Sequence, residues 1–81
     1  MAPPAHRVLT SEALALSSGT IATLTGMHTY AGVGRAQSAF VLWCLGQADQ
    51  GQPWQRAWEG FWPTYCTPGG QQHASILSGV R

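Results

Sequence analysis

Residues 53–62, PWQRAWEGFW, repeat their aromatic side chains with a helical period. At ~100° per residue, measured from Trp54, Trp58 falls at ~40°, Trp62 at ~80° and Phe61 at about −20°. The four aromatics share one arc, and Gln55, Arg56 and Glu59 take the other side. Pro53 suits the first position of a helix and Pro63 a stop, so the pattern predicts a helix over 53–62. Arg56 and Glu59 stand at i and i+3, the spacing of a weak ion pair. A helix of about ten residues is shorter than the ~12–15 that persist alone in water, so its aromatic face must be covered.

Residues 35–46, RAQSAFVLWCLG, form the most apolar stretch. Ala36, Ala39, Phe40 and Trp43 share one helical face, and Val41, Leu42 and Leu45 cover the remaining circumference. A helix apolar on all sides belongs at the centre of the packing or against a partner. The polar joint 47–52 is short enough to fold the tryptophan-rich helix back onto it, which predicts internal contact between the two. A third, shorter helix is expected over 11–17, with Thr10 or Ser11 as its cap, Glu12 in its first turn and Ser17, Ser18 and Gly19 as its end.

Residues 20–25, TIATLT, are rich in β-branched types and read as a strand, with a turn at Gly26 and a short hairpin near 20–31. Gly32-Val33-Gly34 lacks the third glycine of a dinucleotide fingerprint and reads as a flexible joint ahead of the apolar helix. The expected fold is mainly α: a small, loosely packed arrangement of two or three helices. Residues 1–9 are expected to be disordered, 10–66 to form one small folded region, and 67–81, which include Pro68-Gly69-Gly70, to be a flexible tail.

Composition narrows the function classes. The chain has 81 residues, a net charge of +1 and only 9% charged residues, with no lysine and no asparagine. Lysine Schiff-base chemistry, a P-loop lysine and N-glycosylation are thereby excluded. The four arginines are spread along the chain rather than clustered, which argues against nucleic acid. The longest unbroken apolar run, Ala39 to Leu45, is far short of the ~18 residues of a membrane span. With Glu12 interrupting the first apolar stretch, no export signal is read, and an intracellular location with Cys44 and Cys66 as free thiols is the default expectation.

Reactive groups do not assemble along the sequence. Cys44, Cys66, His6, His28 and His73 lack the close pairing of a structural zinc site. Asp49 is the sole aspartate and has no nearby carboxylate for paired acid–base work. The expectation is a non-enzyme with no catalytic, cofactor or metal residues. The favoured reading is a protein-interaction module, engaging another protein or itself through Phe40, Trp43, Trp54, Trp58, Phe61 and Trp62. The first alternative is a weakly folded product of a GC-rich reading frame with no dedicated activity, suggested by the weight of Ala, Gly, Pro, Arg and Trp. The second is a small membrane-associated peptide, which the single basic residue of the tryptophan-rich helix supports poorly.

Overall fold

The computed structural model describes residues 8–67, which form four α-helices and, among those residues, no strand: α1 Val8–Ala15, α2 Ser18–Thr25, α3 Tyr30–Leu45 and α4 Trp54–Cys66. The mainly α class is as expected, with four helices in place of two or three. The expected disordered start and flexible tail fall mostly on residues 1–7 and 68–81, outside the described residues. Val8 and Leu9, however, open α1, and Leu9 is fully buried. Its burial draws the helix start upstream, so Thr10 lies inside the helix and Glu12 beyond the first turn.

The fourth helix comes from the segment expected to be a strand. In α2 the Ser17 hydroxyl caps the start by accepting from the Thr20 N–H at 3.1 Å. Thr23 and Thr25 donate their hydroxyls to Gly19 and Ile21 carbonyls one turn back, at 2.9 and 2.8 Å. Gly26 then ends the helix at φ 70°, a left-handed conformation that glycine adopts without a Cβ clash, and returns its N–H to the Ala22 carbonyl. These local bonds and the burial of Ile21 outweigh a β propensity that is weak at eight residues.

The glycine pair likewise lies inside a helix. α3 starts at Thr29, whose hydroxyl accepts from the Gly32 N–H at 3.0 Å. A Cβ on Gly32 would stand 2.7 Å from that hydroxyl and 3.2 Å from the Met27 sulfur. Gly32 therefore permits the tight α2–α3 corner rather than a flexible joint. Pro53 is the N-cap residue of α4, one position earlier than expected. Pro63 does not stop α4: it sits exposed inside the helix, where a missing N–H costs least, and Tyr65 beyond it is buried in the core. Arg56 and Glu59 are both exposed on the outer side of the helix.

Internal contact between α3 and α4 is as expected. Phe40, fully buried, meets Trp58 edge-on at 4.9 Å between ring centroids and Phe61 at 5.3 Å. Trp43 adds an edge contact to Phe61 at 5.9 Å. Around this crossing gather Leu9 and Ala13 of α1, Ile21 of α2, Val33, Ala36, Ala39 and Cys44 of α3, and Ala57 and Tyr65 of α4. The α3 face is therefore narrower than a helix apolar all round: Leu45 remains 58% exposed.

Replacing Trp58 by Ala removes rings packed against Phe40, Phe61 and Trp62 and leaves a cavity at the crossing. Trp58→Ala is expected to cost about 3–5 kcal/mol, read as a lower urea midpoint or outright unfolding. An unchanged midpoint would contradict the described core.

Candidate interaction groove

α1 is placed by two glutamines distant in sequence. Gln50, in the α3–α4 joint, is 2% exposed. Its Nε2 donates to the Cys44 carbonyl and, at 3.1 Å, to the Gln47 carbonyl. Its Oε1 accepts from the Thr10 N–H at 3.1 Å and the Thr10 hydroxyl at 3.0 Å. The Gln50 backbone carbonyl accepts from the Leu9 N–H at 2.8 Å. Gln50 thus bonds the head of α1 and the Cys44 carbonyl at the foot of α3 together. At the other end of α1, Gln37 Nε2 donates to the Leu16 carbonyl at 2.8 Å. These bonds set α1 antiparallel to α3.

The placement opens a groove between α1 and the head of α4. It holds about 600 Å³ open to solvent. Ala15 and Leu16 line one wall beside the Glu12 carboxylate, and Gly51, Pro53, Trp54 and Gln55 line the other. Leu16 and Trp54 are half-buried, so each keeps part of an apolar side chain in the core and presents the rest to the groove. Glu12 is the single charged group among the described residues that line it. A smaller hollow of about 340 Å³ lies at the α2–α3 corner, beside His28 and the exposed Tyr30.

The six aromatic residues singled out from the sequence separate in the structure. Phe40, Trp58 and Phe61 are buried in the chain's own core. Trp43 and Trp62 are half-buried; Trp62 stacks on Trp58 at 5.3 Å and on Tyr65 at 5.5 Å. The Trp43 indole nitrogen is buried and has no acceptor among the described residues. Trp54 alone of the six lines the groove. Glu12 and Leu16 were not legible as site residues, because nothing local in TSEALALS records that α4 lies across from it. The one available signal was a lone carboxylate in an otherwise uncharged segment.

Both thiols are free. Cys44 is fully buried, and burial pushes its pKa up to about 11. Cys66 is exposed at the end of α4. Burial also raises the Tyr65 hydroxyl, with Arg35 drawing it down and Cys66 pushing it up to lesser degrees. Among the described residues no three His, Cys, Asp or Glu side chains gather as a metal site, and no helix is long and apolar enough to cross a membrane.

Comparison of the chain with protein-family models, with curated proteins and with solved structures finds no match.

The Cys44 shift has a signed consequence. Above the ordinary thiol value of 9.0, the unfolded chain loses a proton that the folded chain keeps up to about 11. Stability from this group is complete below pH ~9 and falls as pH rises toward ~11. The urea midpoint should decline over that interval, and Cys44→Ala should flatten the decline. An equally steep decline in the variant would refute this assignment.

Proposed function

We propose that this protein works by binding, and that the α1–α4 groove takes a peptide segment carrying a large apolar side chain next to a basic one. The observation that carries the proposal is the groove's lining: Leu16 and Trp54 offer half-buried apolar surface, and Glu12 is the single charge among the described lining residues. A tryptophan fixed at one end and open at the other is the kind of anchor that dominates binding energy in small interfaces. A carboxylate on the wall favours a cationic neighbour and sets orientation more than affinity.

The wider surface supports binding over catalysis. The described residues carry five formally charged side chains, Glu12, Arg35, Asp49, Arg56 and Glu59, all exposed and separated along the sequence. Cys44 is buried and held protonated, which leaves its thiol a poor nucleophile. The alternative of a chain with no dedicated activity loses ground to Gln50, whose amide is satisfied on both sides by groups from separate parts of the chain. A buried polar group paired in this way marks a specified packing.

Selection from a random peptide library should enrich Arg or Lys beside Leu, Phe or Trp. Nuclear magnetic resonance shifts on binding should centre on Glu12, Leu16 and Trp54. Trp54→Ala should weaken binding by about tenfold or more. Glu12→Gln should remove the preference for the basic residue and reduce the salt dependence. Shifts centred elsewhere, or selected peptides without a basic residue, would overturn the proposal. Concentration-dependent dimerisation with the same shifts would replace it by self-association.

A further inference from the structure

We infer that residues 1–7 of this chain are the groove's resident ligand: the Pro3-Pro4 pair docks on Trp54 with Arg7 beside Glu12, and an outside peptide must displace them. The inference deepens the proposed function and rests on its reading of the α1–α4 groove. Three observations carry it. The first is position. The Leu9 N–H bonds the Gln50 carbonyl at 2.8 Å, and Gly51, the next residue along, is part of the groove wall. On α1, Val8, Glu12 and Ala15 stand at i, i+4 and i+7, so Val8 continues the groove-side stripe one turn above Glu12. Val8 is 48% exposed there. Residues 1–7 therefore join the described fold beside the groove they would fill.

The second is reach. Five extended residues, 3–7, span about 15 Å, against about 6 Å for the turn of α1 between Val8 and Glu12. That length suffices for the chain to turn back at Val8 and run along the groove. Residues 68–81 start farther off, since the whole of α4, 13 residues, separates Thr67 from the groove. The third is chemistry. Glu12 is the single charge among the described lining residues, and residues 1–7 carry Arg7 and no acidic residue. Pro3-Pro4 is apolar, and its backbone is held extended before it docks, so docking costs little chain entropy. Trp54 supplies the matching surface. Trp43 packs its ring on Phe61 and Trp58 stacks on Trp62, whereas Trp54 lines the groove. An indole offers a flat face to a proline ring and an N–H to a peptide carbonyl, the pairing used in aromatic grooves that take extended proline segments. Two prolines are a weak ligand when free. Tethering beside the site raises their effective concentration to about the millimolar range, where weak contacts suffice.

The test uses the full chain at low concentration, read by nuclear magnetic resonance. Cross-relaxation between Pro3 or Pro4 ring protons and the Trp54 indole is expected. The double substitution Pro3→Gly, Pro4→Gly should move the Trp54 indole N–H signal and leave that of Trp58 in place. Arg7→Gln should move the same Trp54 signal less, and added salt should reproduce its effect. The peptide most enriched from the random library should bind the double variant at least about threefold more tightly than the unmodified chain, because the groove is then vacant more of the time. Absent cross-relaxation, an unmoved Trp54 signal or equal peptide affinity for the two chains overturns the inference, and the groove itself remains open to other peptides. A Trp54 shift that grows with protein concentration assigns residues 1–7 to the groove of a second copy and overturns docking within one chain. Library peptides whose shifts centre away from Trp54 refute the proposed function alone, since the contact of residues 1–7 with Trp54 is read without them.

Discussion

Phe40 occupies the point where α3 and α4 cross, and the rest of the packing is arranged around it. Its ring is fully buried, with Trp58 edge-on at 4.9 Å and Phe61 at 5.3 Å. Edge and tilted contacts of this kind add to the area each ring buries. They matter here because α1 and α2 contribute little large apolar bulk, Leu9 and Ile21 being their main buried side chains. Aromatic contact concentrated on one crossing lets a chain with few aliphatic residues sustain four helices. It also explains why α4 continues past Pro63. The stack from Trp58 through Trp62 to Tyr65 holds the last turn in place, and the missing proline N–H faces solvent.

A second constraint is polar. N–H groups stand at the head of α1 and carbonyls at the foot of α3. One glutamine joins the two sets. The side-chain amide is suited to this because it both donates and accepts, so it can bridge a helix head and a helix foot at once. The arrangement adds directed bonds to the packing of Leu9 and Ala13, both fully buried.

The surface around this frame is sparsely charged, and the groove beside α1 combines an anchored tryptophan with a single carboxylate. Trp54, in the first turn of α4, and Trp62, at one edge of the aromatic arc, are half-buried. Trp58 and Phe61 are consumed by the core.

The amino-acid order by itself determined the helical class and the aromatic arc of α4. It also determined the internal contact of that arc with the Ala36–Leu45 helix. Each follows from periodicity over a long enough run, and Gln55, Arg56 and Glu59 are exposed as the angles require. Tertiary structure decided the rest. TIATLT is β-branched, yet hydroxyl-to-carbonyl bonds and the packing of Ile21 make it helix. Gly32 looked like a joint, but it is the small residue that lets Met27 and Thr29 approach α3. Val8 and Leu9 looked like a loose terminus, and Gln50 turns them into a helix start from 40 residues away. The groove depends on that same long-range bond. Local sequence encodes periodicity and caps between neighbours; it does not record which distant amide will meet a helix end, and that meeting is what places α1 and forms the groove.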